Sequence, residues 1–305
     1  MKNFIQEINY APEWKNTGAN PVVTDTVTKA WEVLNTTELK MASRNLDYAE
    51  VGSDLVNQLR EYVENAGVDS MVMWVSGGVD SGLVSTLAAK TGLPLTVIEM
   101  PIHQAEDQVD NAQEHIAWLK ESFPNVESMR VDLTETFETL KSALPEIESE
   151  EIVRYMAYVN TRSRLRGNIL YCVANEQGSI VLGTGNRVED YWIGFFTKFG
   201  DGAVDVSPIW NLYKSEVRAL ARELWVPENI SEAVATDGLH TDWATDEDQI
   251  GCSYDELEWA MIQYDEWKRV EDFDARAKEV MEIYVARHEW NAHKMEMPPV
   301  FELKV

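Results

Sequence analysis

The run Ser76-Gly77-Gly78-Val79-Asp80-Ser81-Gly82 brings together residue types that can hold a polyphosphate. Its glycines let backbone N–H groups turn toward a common anion. Ser76 and Ser81 add hydroxyl donors, and Asp80 puts a carboxylate where a phosphate-bound Mg2+ would sit. The pattern G-x-x-x-x-G-K-[ST] of the common nucleotide loop is absent. Such a turn works only between a strand and a helix, where the positive end of the helix dipole backs the anion. Met71-Val72-Met73-Trp74-Val75 is short, unbroken and apolar, as expected of a buried parallel strand, and Leu83, Val84, Leu87 and Ala88 mark an apolar helix face.

The flanking elements continue the alternation. Val51, Leu55, Leu59 and Val63 have helical spacing within residues 47–66, ahead of the first strand. A second strand is predicted at Leu95–Met100, a helix over roughly 106–122 and a third strand near Ser128–Leu133. A long helix over about 150–175 carries Arg154, Arg162, Arg164 and Arg166. A fourth strand, Ser179–Leu182, runs into Gly183-Thr184-Gly185-Asn186, and Lys214–Leu224 reads as a helix closed by Pro227. This order implies an α/β fold, a doubly wound parallel sheet flanked by helices. Residues 1–45, broken by Pro12, Gly18 and Pro21, read as an extension or arm ahead of a domain over 46–305.

A net charge of -27, from 53 acidic and 26 basic residues, argues against nucleic acid and anionic membranes as partners. An anionic nucleotide would therefore need a locally basic island. No window is long and apolar enough to span a bilayer, and the N-terminus lacks the apolar core of a signal peptide. The two cysteines, Cys172 and Cys252, give neither metal-site spacing nor a disulfide framework, so a cytoplasmic location is expected.

A second constellation follows the fourth strand, where open α/β sheets bind ligands. Glu189 and Asp190 come after the Gly183–Asn186 turn, followed by Thr197-Lys198-Phe199-Gly200-Asp201-Gly202 and Asp205-Val206-Ser207-Pro208. Acids, a lysine and glycine turns in one short span suit a metal and phosphate site completed by Asp80.

The S-G-G-V-D-S turn resembles that of the ATP pyrophosphatases of the adenine nucleotide alpha hydrolase-like superfamily. The run Gly183–Lys214 is similar to the G-T-x-N-x-x-E…T-K-[YF]-G-D-G-x-x-D…K pattern of the NAD synthetases. Asn160–Arg164, Pro101–Asp107, Asp246–Asp255 and His293-Lys294 resemble further elements of that family, in its order, over about residues 47–305. The resemblance implies ATP contacts at Ser76, Gly77, Gly78, Val79, Asp80, Ser81, Thr184, Lys214 and Thr236. It further implies Mg2+ on Asp80 and Glu189, and deamido-NAD on Arg162, Lys198, Asp205, His293 and Lys294. The implied reaction amidates deamido-NAD through an adenylated carboxylate, releases AMP and pyrophosphate, and takes place in a homodimer. Asp201 is a candidate for the base that takes the ammonium proton.

Several departures are visible. From Glu189 to Gly194 there is one residue more than the family pattern has, so either Glu189 or Asp190 can be the metal ligand; spacing to Thr184 favours Glu189. Ala235-Thr236-Asp237 stands where the family has P-[ST]-A, and Met295 where it has Arg. Lys at position 2 and the short chain before the ATP turn leave no glutaminase, so free ammonia is the expected donor. A GMP synthetase-like amidotransferase and a non-catalytic nucleotide sensor are the alternative readings.

Overall fold

Met71, Val72 and Met73 are fully buried, which places β1 (Met71–Trp74) at the centre of a sheet covered on both faces. The structure is a computed structural model that describes residues 44–104, 106–233 and 246–301. β1 pairs in parallel with β2 (Leu95–Glu99) on one side and β4 (Ile180–Val181) on the other. β2 pairs with β3 (Val126–Arg130), giving a four-stranded parallel sheet of order β3-β2-β1-β4. A parallel bridge between Leu182 and Val206 extends the β4 edge. The chain leaves β1 toward β2 and β3, then returns across the sheet to β4. The strand order thus reverses beside β1, the point at which open α/β sheets part to admit a ligand.

The crossovers cover both faces. On one, α1 (Tyr48–Asn65), α2 (Val79–Lys90), α3 (Glu106–Ser122) and α6 (Lys214–Glu223) share a core that includes Leu59, Leu83, Leu87, Leu119, Val217 and Leu220. On the other, α4 (Thr134–Ala143) and α5 (Glu151–Gln177) bury Phe137, Leu170 and Ala174 against Val72 and Ile98. α2 is buried around nearly its whole circumference, because it lies between the sheet and the neighbouring helices α1, α6 and α7 (Glu228–Ser231). A third core joins Val188, Ile193 and Tyr213 to α9 (Tyr254–Asp265) and α10 (Ala275–Met295). The short α8 (Asp246–Ile250) leads into it.

The expected doubly wound sheet is therefore present, with two local differences. The third strand lies at Val126–Arg130, two residues earlier than 128; as the edge strand it is mostly exposed and lacks the apolar run that marks β1 and β2. Residues 187–193 form a π-helical turn. A π turn holds more residues per turn than an α turn, so the residue in excess between Glu189 and Gly194 is taken up without shifting the flanks. The expected arm at 1–45 lies outside the described residues except for its end, where Arg44 pairs with Glu216, donates to Asn211 O and stacks over the Tyr213 ring.

Candidate active site

β1 delivers the chain into the Ser76–Gly82 turn at the carboxyl edge of the sheet. Gly77 has φ +88, a left-handed conformation that disfavours any side chain. The two hydroxyls brace the turn: Ser81 Oγ donates to Gly78 O at 2.9 Å and lies 3.0 Å from Ser76 Oγ. Gly78 caps α2 without a side-chain bond, which leaves the first N–H groups of the helix for an anion.

Asp80, in the first turn of α2, meets residues that are far away in sequence. Lys214 opens α6, and its ammonium donates to Asp80 Oδ2 at 2.6 Å and Glu189 Oε1 at 2.8 Å. The lysine side chain is 4% exposed, and the carboxylates are 16% and 15% exposed. Burial alone would lower the ammonium's pKa, but the charges of Asp80 and Glu189 outweigh it and raise it. Asn186 is fully buried and serves both sides of this cluster. Its Nδ2 donates to Asp80 Oδ1 at 3.0 Å, and its Oδ1 accepts from Val188 and Glu189 N–H at 3.0 and 3.1 Å. Tyr254 closes the cluster: its hydroxyl donates to Glu189 Oε1 at 2.5 Å, and its ring lies 5.0 Å from the ammonium.

The π turn separates the two adjacent acids. Glu189 faces Lys214, whereas Asp190 is buried against Gly185, where a Cβ would lie 1.7 Å from Asp190 Oδ2. Burial, then the charges of Asp201, Glu189 and Asp80, push the Asp190 carboxyl well above the usual range, which disfavours its charged form.

Two clefts flank Trp74 at the end of β1. One runs from Ser76 past Glu99, Met100 and Pro101 to Gln104. The other is lined by Ser163, Arg166, Leu170, Thr184, Asp201 and Val204 among others. Thr184 and Asp201 thus share one cleft. Asp201 Oδ1 accepts from Ser163 Oγ at 2.5 Å and Thr197 N–H at 3.1 Å, leaving Oδ2 as its remaining acceptor.

The residues expected to contact a second nucleotide divide into groups. Arg162 is buried with its guanidinium 5.8 Å from the Phe137 ring, whereas Arg166, which was not among them, lines the cleft and stacks over Trp74 at 4.5 Å. Lys198 donates to His293 O and, at 3.4 Å, to Glu296 O. Lys294 is buried and donates to Gly194 O and Phe196 O, both at 2.9 Å. Lys198, His293 and Lys294 therefore meet where the 194–198 loop crosses the end of α10. Asp205 is separate from them, tied to Val181 N–H at 2.7 Å and Tyr171 OH at 3.0 Å. Thr236 lies outside the described residues. Cys252 is buried and its thiol is pushed up to about 12 by that burial, so it stays protonated and unreactive.

Glu258 is a further buried group that the sequence did not mark. It is 0% exposed, and it accepts from Ser215 N–H at 2.9 Å and Ser215 Oγ at 2.7 Å. It thereby satisfies a donor at the start of α6, one residue from Lys214. Burial raises its pKa from 4.5 to about 7. An acid with a raised folded-state pKa makes the fold less stable as pH climbs from the unfolded value through the folded one. Replacing Glu258 by Gln keeps both bonds, with the serine hydroxyl turning to accept, and removes that loss. The stability of Glu258→Gln relative to wild type should rise by on the order of 3 kcal/mol between pH 4.5 and 8. Urea denaturation across that range measures it, and parallel stability curves would refute it.

A hard divalent cation would fit the Asp80–Glu189 pair, since two carboxylates already converge on one cation, the ammonium. Among the described residues no group of three or more His, Cys, Asp or Glu side chains is set to hold a metal, so phosphate oxygens and water would complete the shell.

Comparisons with known proteins agree with this geometry. The NAD synthase family matches residues 51–298. The chain is 36% identical over 262 residues to the NH(3)-dependent NAD(+) synthetase of Aeropyrum pernix, covering 83% of this chain and 89% of that protein. It is 31% identical to the Methanosarcina acetivorans NH(3)-dependent NAD(+) synthetase, covering 85% of this chain and all of that protein. Among solved structures, the NMN synthetase of Francisella tularensis superposes with a TM-score of 0.74 at 30% identity, covering 85% of this chain and 100% of that one. The NH3-dependent NAD synthetase of Campylobacter jejuni shares the fold with a TM-score of 0.67 at 22% identity, covering 84% of this chain and 100% of that one. With a Gly-rich turn at a helix N-terminus, a buried lysine between two acids and a match over most of its length, the chain belongs to the NAD synthase family, as a ligase that uses ammonia.

Proposed function

We propose that this chain amidates deamido-NAD to NAD with ammonia, through an adenylated carboxylate. The observation that carries this reading is the convergence of the Ser76–Ser81 turn, Asp80, Glu189 and Lys214 at the switch point of the sheet, beside a cleft that holds Thr184 and Asp201. ATP lies with its phosphates on the turn and its adenosine toward the cleft at Glu99, Met100 and Pro101. The nicotinate carboxylate attacks the α-phosphorus, and pyrophosphate leaves into the turn. Lys214 and the α2 N–H groups neutralise the charge that develops, in fixed positions that need no reorganisation. Mg2+ held by Asp80 and Glu189 would supply Lewis-acid charge to the phosphates. Ammonia then attacks the acyl carbon, AMP leaves, and Asp201 Oδ2 accepts the ammonium proton. Arg166, buried on Trp74 at 4.5 Å, adds positive charge to the wall of the acceptor cleft, its pKa lowered by burial to about 9 but still above neutral.

A homodimer in the cytoplasm completes the reading. It is supported by Leu144, Ile147 and Ile152, which are 48%, 64% and 38% exposed at the approach to and start of α5, and by the absence of a membrane-spanning helix among the described residues. Light scattering that returns a monomer mass would refute the dimer.

One observation favours a second acceptor. The Francisella tularensis relative is an NMN synthetase, and NMN is the amide of nicotinate mononucleotide. AMP and pyrophosphate should therefore be measured with ATP, ammonia and each of deamido-NAD, nicotinate mononucleotide and xanthosine monophosphate. AMP with deamido-NAD is expected. AMP with either mononucleotide alone would replace the substrate, and no AMP with any acceptor would overturn the reaction.

A further inference from the structure

Lys214 occupies the place that the reaction assigns to a metal ion. Its ammonium lies 2.6 Å from Asp80 Oδ2 and 2.8 Å from Glu189 Oε1. A divalent cation ligated by the same oxygens would sit at about 2.0–2.2 Å from each. Two cations cannot share that position, since overlap and charge repulsion both forbid it in a site this enclosed. The arrangement holds the lysine there firmly. The Tyr254 ring lies 5.0 Å from the ammonium, and the Tyr254 hydroxyl and Asn186 amide hold the two carboxylates. The backbone beside it is fixed by the two bonds from Ser215 to Glu258. Release must therefore come from rotation of the lysine side chain, with α6 staying in place.

The nearby anion site supplies the reason to rotate. Asp80 belongs to the first turn of α2, whose free N–H groups and Ser76–Ser81 loop would hold phosphate oxygens. An ammonium released from the carboxylates has those oxygens as its next partners. We propose that Lys214 is a built-in competitor of the divalent cation, filling the position between Asp80 and Glu189 until bound phosphate draws it away. Cation binding thereby depends on nucleotide. The proposal rests on the reading of Asp80 and Glu189 as metal ligands.

The test is Mn2+ binding to the full chain without nucleotide, followed by the paramagnetic resonance of free Mn2+. Wild type should bind weakly, and Lys214→Met should bind one Mn2+ at least about tenfold more tightly. Lys214→Gln, whose neutral amide can still donate to a carboxylate, should show the same gain and serves if Lys214→Met fails to fold. The ratio should persist at about 0.5 M KCl, where long-range effects of one lost charge are screened. Adding Asp80→Asn to either variant should abolish the gain. A non-hydrolysable ATP analogue should bring wild type to the variants' affinity. Equal affinities without nucleotide, or a ratio that vanishes in salt, would overturn the competition while leaving the metal site intact. A gain that survives Asp80→Asn, or no Mn2+ bound by any form even with the analogue, would overturn the ligand assignment itself.

Discussion

Lys214→Met is expected to lower kcat/KM for AMP formation by about 1,000-fold, the scale seen when one preorganised charge or donor at a transition state is removed. The lysine is the cation that donates to both Asp80 and Glu189, and among the described residues no other cation pairs with either carboxylate. Its loss also leaves two largely buried carboxylates facing each other, which costs about 3–5 kcal/mol when nothing else compensates. The variant should accordingly melt lower without divalent cation and recover part of the loss when Mg2+ is added. Lys214→Arg should rescue little, since the planar fork spreads its charge and does not fit a position built for a point charge. Steady-state AMP release and thermal melts with and without Mg2+ measure these outcomes. A loss under tenfold would show that Lys214 does not act on the transferring phosphoryl group.

Gly185→Ala is expected to destabilise the fold by on the order of 3 kcal/mol and to abolish most of the activity. An added Cβ would lie 1.7 Å from Asp190 Oδ2 and 2.3 Å from its Cγ, inside van der Waals contact. Asp190 cannot simply turn outward, because it is buried in the π turn that also aims Glu189 at Lys214. Relief of the clash must shift that turn and with it the acidic half of the cluster. Urea denaturation and AMP assays check both effects. A variant that is as stable and as active as wild type would show that the turn adapts freely and that the Glu189 position is not set by Gly185. Asp190→Asn should be far milder, because burial already disfavours the charged carboxylate and the amide nearly matches its shape.

The local part of the site was legible because its residues are consecutive. An apolar run, a Gly-rich turn and an amphipathic start can form only a strand, a loop and a helix N-terminus, so the cradle at Ser76–Ser81 needed no tertiary information. The Arg series on α5 was harder to read. Arg164 lies two residues from each of Arg162 and Arg166 and so points to another side of the helix, while Arg162 and Arg166, four apart, share a face. Only the packing shows that Arg166 stacks on Trp74 in the cleft while Arg162 faces Phe137. Lys294 shows a further limit. The resemblance implied a contact with the second nucleotide, and the fold places its ammonium on the carbonyls of Gly194 and Phe196, which its sequence position does not announce. Asn186 could have been found, since an Asn followed three residues later by Glu is a helix-start signal. Tyr254 was marked only as part of the Asp246–Asp255 element, with no role attached, and Glu258 offered no comparable sign.

The sheet, the Gly-rich turn between β1 and α2 and, through the order of its motifs, the family were legible in the sequence. Each of these follows from short-range pattern, where chain connectivity fixes which groups are neighbours. The tertiary structure alone decided how the charges pair. Lys214 meets Asp80 across 134 residues of chain, and no local rule connects them. The choice between Glu189 and Asp190 was open in the sequence because both are acids at adjacent positions. The fold resolves their placement by aiming one at a buried ammonium and pressing the other beneath Gly185. That outcome depends on a π turn whose extra residue is visible in sequence only as a count, while its direction is set by what it packs against.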